Sequence, residues 1–295
     1  METLNTAFKD QIRRAVSQAK ISTVISAENV YQEGDENILP ILDEMVDYLM
    51  LPGSGVDGME NLEELLAKAQ SGKSCLLLLE HYSNMDLSIF SLLVRRAGGR
   101  GEDIAKSLIA IAGMKLNEDN PVVAAFASAY TRVVIYPSRY LHGTEPDIKK
   151  PELLRSIAIN RAALHALDEN KTKGKMVLLF PSGTRYRPWD PSTKKGVREV
   201  DSYLRSFDYM CCVALNGMIL HVQQTDMMND AVTKDVVKIT AGPVFSCAEF
   251  REKARAEAEA AGIEDKKQAA VDSIMAELEK LHIAAEKKLR SSAPL

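Results

Sequence analysis

The chain has 295 residues, enough for one large domain or two smaller ones, and 46% of them are hydrophobic while 26% are charged. That balance excludes a mostly disordered chain, a collagen-like repeat and a disulfide-stapled miniprotein. The 37 basic and 41 acidic residues leave a net charge of −4, without the basic excess of a nucleic-acid binder, though one cleft can still hold a local basic pocket for a small anion.

In chain order, Leu4, Phe8, Ile12, Ala15 and Ala19 recur at three- and four-residue steps and predict a helix. A second is predicted from Ile38 to Met50, ending before Pro52-Gly53-Ser54-Gly55, and a third from Met59 to Ala69. No strand-like run precedes residue 75, so residues 1–70 read as a small N-terminal helical domain. From there the pattern changes to short apolar strands alternating with helices. The predicted strands are Cys75 to Leu79, Leu108 to Ala112, Arg132 to Tyr136, Met176 to Phe180, Met210 to Leu215 and Val236 to Ala241. Between them, helices are predicted over Leu87 to Arg96, Pro121 to Ala129, Glu152 to Glu169 and Val197 to Ser206. Residues 71–295 therefore read as an α/β domain, a mixed or mostly parallel sheet flanked by helices. Its last segment, Ala248 to Arg290, is rich in Ala, Glu and Lys, is interrupted at Gly262, and reads as one or two amphipathic helices packed on the sheet.

Cys75, Cys211, Cys212 and Cys247 have neither CxxC nor framework spacing and read as reduced core thiols. The N-terminus shows no signal-peptide pattern, and no window approaches the ~18 apolar residues needed to span a bilayer. The expectation is a soluble, cytoplasmic protein that touches a membrane at most from outside.

Among the five histidines, His165 and His282 lie within predicted helices and read as surface or packing residues, and His221 is only weakly placed. His81 directly follows an apolar strand, with Asp86 five residues later. On a continuous helix those side chains would stand roughly 140° apart. They meet only if Ser83-Asn84 forms a turn, for which both are good N-cap residues, with a helix opening near Asp86. The carboxylate would then hold one imidazole nitrogen and leave the other free to take a proton. The alternative is a capping Asp86 and an incidental loop histidine.

Phe180-Pro181-Ser182-Gly183-Thr184-Arg185-Tyr186-Arg187-Pro188 also follows a strand. Gly183 permits a sharp bend, and Ser182 and Thr184 can bond to the turn backbone. Arg185 and Arg187 offer planar, permanently charged forks suited to phosphate oxygens, or else form surface ion pairs. Beyond a third strand, Arg139 and His142 can add positive charge to the same mouth, or be ordinary loop residues. Three such strand ends fit the rule that open α/β sheets bind ligands beyond their strand ends. Other patterns fail: Ser71-Gly72-Lys73-Ser74 precedes a strand and has Ala67 where a phosphate loop needs glycine, there is no GxSxG elbow, Gly98-Gly99-Arg100-Gly101 lacks a preceding strand, and the histidines are too scattered for a zinc site.

His81-Tyr82-Ser83-Asn84-Met85-Asp86 resembles the HX4D motif of the glycerolipid acyltransferases, and Phe180-Pro181-Ser182-Gly183-Thr184-Arg185 resembles their second signature, FPEGTR, about a hundred residues further on. Ser182 in place of Glu, and the segment Arg185 to Thr193, look like the soluble, plastid-type glycerol-3-phosphate 1-acyltransferases, which also carry an N-terminal helical domain. The resemblance covers roughly residues 75–220. It implies that His81 is the general base, Asp86 its orienting partner, and Arg185, Arg187, Arg139 and His142 the holders of the phosphate. Lys115 loosely resembles a substrate-contact block, and Ser182, Gly183 and Thr184 form the substrate loop. The sequence departs from the pattern at Glu80, where the wider superfamily often has Asn, and at Ala214-Leu215, where proline is often seen.

The resemblance implies acyl transfer from an acyl-carrier-protein or coenzyme A thioester, a cosubstrate, to the sn-1 hydroxyl of glycerol 3-phosphate. The chemistry requires no metal or tightly bound cofactor and no covalent intermediate, and backbone N–H groups of residues 83–86 would serve the oxyanion. The alternatives are an enzyme accepting 1-acylglycerol 3-phosphate or another lipid alcohol, or a non-catalytic phospholipid-binding protein on the same fold.

Overall fold

In the computed structural model, which describes residues 2–22, 24–118, 120–141 and 146–292, the chain opens with helices Leu4–Ala7 (α1) and Lys9–Gln18 (α2). The apolar step expected for one helix runs through both, but Phe8 leaves helical geometry at φ −129° and ψ 31° and separates them. Strand Tyr31–Gln32 (β1), helix Leu39–Leu49 (α3), strand Gly55–Asp57 (β2) and helix Met59–Gln70 (α4) follow. The centre of the chain supplies Cys75–Leu79 (β3), Asp86–Arg96 (α5), Gly101–Ser107 (α6), Leu108–Gly113 (β4), Lys115–Glu118 (α7), Pro121–Ser128 (α8) and Arg132–Ile135 (β5). After these come Pro146–Asn170 (α9), Met176–Leu179 (β6), Val200–Ser206 (α10), Tyr209–Asn216 (β7), Leu220–His221 (β8), Ala231–Val232 (β9), Lys238–Ser246 (β10), Cys247–Ala260 (α11) and Lys266–Ser292 (α12).

The main sheet has eight strands in the order β1-β5-β4-β6-β3-β7-β10-β2, and β8 and β9 form a separate hairpin. From β5 through β7 every neighbour is parallel, whereas β10 runs antiparallel to β7 and β1 antiparallel to β5. The fold is thus α/β, with a mostly parallel mixed sheet flanked by helices. Its strands are buried on both faces, which is why they read as unbroken apolar runs. Cys75, Leu77 and Leu79 join one apolar cluster with α3, α4 and α5, while Leu76 and Leu78 join the other with α9, α10 and α12. That split is the two-residue alternation of a strand.

Two readings are corrected. Strands do occur before residue 75: β1 and β2 form the two outer edges of the sheet, and β2 pairs with β10 through Gly55–Lys238, Val56–Ile239 and Asp57–Thr240. Runs of two and three residues carry no period of their own. The last strand also continues past Ala241 to Ser246, because a register shift between Ala241 and Val244 accommodates Gly242-Pro243. Leu4, Ile12, Leu42 and Met45 of the first 70 residues lie in the same apolar cluster as Leu77 and Leu79 of β3.

All four cysteines are buried and unpaired. Burial pushes the Cys75, Cys211 and Cys247 thiols up to about 12, which makes them inert core groups. Among the described residues no helix is long and apolar enough to cross a membrane.

Candidate active site

Beyond Leu79 the chain leaves β3 at the carboxyl end of the parallel strands and turns into α5. Asp86 is the first residue of that helix and Met85, not Ser83 or Asn84, occupies the cap position. The Asp86 side chain is 1% exposed. Its Oδ2 lies 2.9 Å from His81 Nδ1 and accepts the Tyr82 N–H at 2.6 Å, while Oδ1 accepts the Ser83 hydroxyl at 2.6 Å. The Ser83 N–H reaches both oxygens, at 3.0 and 2.9 Å. Five residues apart, histidine and aspartate meet because the intervening chain is a turn wound around the carboxylate. Of the N–H groups expected to serve an oxyanion, that of Ser83 is therefore engaged by Asp86, and that of Met85 donates to Ser83 Oγ at 3.1 Å.

With Nδ1 held, Nε2 of His81 has no hydrogen-bond partner among the described residues. A neutral imidazole whose Nδ1–H is held by a carboxylate presents an acceptor at Nε2.

The loop after β6 lies against this imidazole. Phe180 stacks on His81 with ring centroids 4.0 Å apart and planes at 21°, and the Tyr186 N–H donates to the His81 carbonyl at 2.8 Å. Arg185 and Arg187 flank that hydrogen-bonded residue. Gly183 has φ +62°, a left-handed conformation that favours glycine, and its N–H closes a turn onto Phe180 O at 2.9 Å. The Ser182 hydroxyl donates to the Thr184 carbonyl at 2.7 Å, as the turn chemistry predicts.

The two arginines differ. Arg185 Nη1 donates to Asp230 Oδ2 at 3.0 Å, and Asp230 is fully buried beneath it. Burial raises the Asp230 carboxyl, and the Gln223 N–H and the Arg185 guanidinium oppose that rise. Arg187 has no ion-pair partner among the described residues, and its N–H is fixed by Thr193 Oγ1 at 2.9 Å. Arg139 approaches from the strand-end loop after β5: a Cβ at Gly183 would stand 3.5 Å from its Nη1. Lys115 Nζ sits 4.5 Å from the Tyr140 ring centroid and the Arg139 guanidinium carbon 5.3 Å from it. Of the residues named from sequence, Lys115 and Arg139 thus meet on the Tyr140 ring, and Arg139 reaches the Gly183 turn of the loop that stacks on His81. His142 lies outside the described residues.

Sequence reasoning missed three groups. Asp230 stands 45 residues from Arg185. Lys194, paired with Glu279, lines a narrow cavity of about 20 Å³ beside His81, Tyr82, Ser182 and Tyr186. His282, expected on the surface or in packing, is half-buried and its Nδ1 lies 2.8 Å from Glu80 Oε2, an ion pair when the imidazole is protonated. No local pattern announces any of them, because each partner comes from a distant segment.

The Glu80 hydrogen bond raises the His282 imidazole above its ordinary 6.5, and burial opposes the rise. A raised folded-state value means that the pair's contribution to stability is fully present below 6.5 and is lost as pH climbs through the raised value. Urea unfolding midpoints of the parent should accordingly fall across that interval relative to those of His282→Gln, which lacks the titration. Parallel curves for the two proteins would refute the ion pair.

Among the described residues no three His, Cys, Asp or Glu side chains converge as a metal site. Neither the known protein-family models nor the curated protein sequences give a match to this chain.

Proposed function

We propose that the protein transfers an acyl group from an acyl thioester to the sn-1 hydroxyl of glycerol 3-phosphate, giving 1-acylglycerol 3-phosphate. The observation that carries this reading is the His81–Asp86 pair, with Nε2 unbonded, stacked on the loop that holds Arg185 and Arg187. A phosphate seated at Arg187 and Arg139 would anchor the acceptor through charge-assisted hydrogen bonds. Arg185, already braced by Asp230, gives that loop a fixed shape.

In this reaction His81 Nε2 removes the hydroxyl proton as the oxygen attacks the thioester carbonyl. Asp86 keeps the Nδ1–H tautomer in place and stabilises the imidazolium. The tetrahedral intermediate collapses by breaking the carbon–sulfur bond, and the departing thiolate takes up from His81 the proton that the hydroxyl lost. Anchoring the acceptor by its phosphate supplies the orientation that makes a direct transfer efficient. The donor, an acyl-carrier-protein or coenzyme A thioester, is a cosubstrate, and the protein works in the cytoplasm. A peripheral membrane contact belongs to the same reading, since Leu154, Ile157 and Leu164 are exposed on α9 beside Lys150 and Arg161.

Purified protein with glycerol 3-phosphate and labelled acyl thioesters should yield labelled 1-acylglycerol 3-phosphate. Folded protein that forms none with either donor would overturn the reading. Arg187→Ala should raise the KM for glycerol 3-phosphate about 10- to 100-fold with kcat little changed, as loss of one charged contact made equally in ground and transition states requires. A fall in kcat at constant KM would instead place Arg187 at the reacting carbon.

A further inference from the structure

The alternation that turns His81 toward α5 turns Glu80 toward α12, on the opposite face of the sheet. The Glu80 side chain is 6% exposed and all its contacts are specific. Oε2 accepts the Leu215 N–H at 2.9 Å and lies 2.8 Å from His282 Nδ1, and Oε1 accepts the Tyr82 hydroxyl at 2.9 Å. Burial, reinforced by Glu80, pushes the Tyr82 hydroxyl up, so it stays protonated and acts as the donor.

Tyr82 joins this cluster to the catalytic pair. Its hydroxyl rests on Glu80, and its backbone N–H donates to Asp86 Oδ2, the oxygen that faces His81 Nδ1. A linked path therefore runs from His282 on the C-terminal helix through Glu80 to the Tyr82 hydroxyl, across the covalent frame of Tyr82 to its backbone N–H, and on through Asp86 to His81. Its first and last members are 201 positions apart in the numbering.

We propose that His282 is a positioning residue for the acyl transfer described above, acting through Glu80 and Tyr82 to hold Asp86 at the distance His81 requires. This rests on that functional reading for the reaction, but the mechanical coupling itself does not. His282 touches no reacting group. It donates to a buried carboxylate that would otherwise lose one of its partners, and so fixes Tyr82, whose backbone N–H is one of the Asp86 donors. The groups facing His282 are Glu80, the Tyr82 hydroxyl at 3.4 Å, and the Lys194–Glu279 pair, while Asn216 Nδ2 donates to its carbonyl at 3.2 Å. The C-terminal helix thereby becomes part of the catalytic apparatus rather than a cover for the sheet. A merely structural tie would also hold the helix in place, but it would leave turnover per folded molecule untouched.

The test compares His282→Ala, His282→Gln and Tyr82→Phe with the parent in two measurements, steady-state kinetics normalised to folded protein and the NMR resonance of the His81 Nδ1 proton, assigned by its loss in His81→Gln. His282→Ala should lower kcat about tenfold or more, as misorientation of a base demands, with the KM for glycerol 3-phosphate within about twofold. The glutamine amide can still donate to Glu80 and should recover most of the loss. Tyr82→Phe, which keeps the ring and breaks the chain at the hydroxyl, should reproduce the alanine effect. The His81 proton should shift or broaden in the alanine and phenylalanine variants and stay in place with glutamine. An unchanged resonance in both, or unchanged kcat per folded molecule, overturns the proposal. If His282→Ala does not fold, Tyr82→Phe decides on the same two readouts. A parent without acyl transfer defeats the functional reading and with it the catalytic role, while the resonance, which needs no turnover, still separates coupling from its absence.

Discussion

Replacing His81 with glutamine should reduce acyl-transfer turnover by about 10²- to 10⁴-fold, the span that a positioned general base contributes. The substitution keeps a polar planar group next to Phe180, so the stacked geometry at 4.0 Å has a close substitute and the fold should persist. Glutamine cannot accept and then return a proton at neutral pH, so the loss should fall on kcat while the KM for the proposed acceptor, glycerol 3-phosphate, whose binding the proposal assigns to Arg187 and Arg139, should barely move. Far-UV circular dichroism and single-turnover acyl transfer check both halves of this expectation. Turnover within about tenfold of the parent would show that another group removes the proton. Asp86→Asn is a harsher change than it looks. An amide cannot stabilise an imidazolium, and its NH2 end would face the Tyr82 and Ser83 N–H groups in the place of Oδ2, or the Ser83 N–H and hydroxyl in the place of Oδ1.

The second large effect lies in the support of that carboxylate. Phe90 has no exposed surface and stands on the inner face of α5 among Ile89, Leu93 and Val94, one turn after Asp86. Phe90→Ala should cost about 3–5 kcal/mol, through lost apolar transfer and the cavity left behind, against a total stability of about 5–15 kcal/mol for a typical domain. Denaturant unfolding should show a lower midpoint with an unchanged slope, as expected when stability falls and the exposed surface does not change. A loss below about 1 kcal/mol would show that this face of α5 is not packed as described. Because α5 begins at Asp86, the same variant should lose activity faster than it loses folded protein as temperature rises.

The central strands were legible because burial on both faces makes each of them a short unbroken apolar run, such as Cys75-Leu76-Leu77-Leu78-Leu79. The His81–Asp86 pair was legible because turn and partner lie within six consecutive residues, and the Gly183 bend because only local chemistry is needed to make it. The two helices of the C-terminal segment, parted at Gly262 with φ +70°, were legible from charge and small-residue punctuation.

Other features came only from the assembled chain. β1 and β2 are strands because Arg132–Val133 and Lys238–Thr240 present unpaired sheet edges to them, and two or three residues cannot announce that in advance. Arg185 was read as a phosphate fork or a surface ion pair, and the carboxylate that holds it lies 45 residues away, while Glu80 meets its histidine across 202 residues. Sequence by itself determined what each short segment can become, since propensity, period and turn chemistry act over a few residues. Tertiary structure decided which side chains face one another, since that depends on strand order and helix docking, and those are set by burying the whole chain at once.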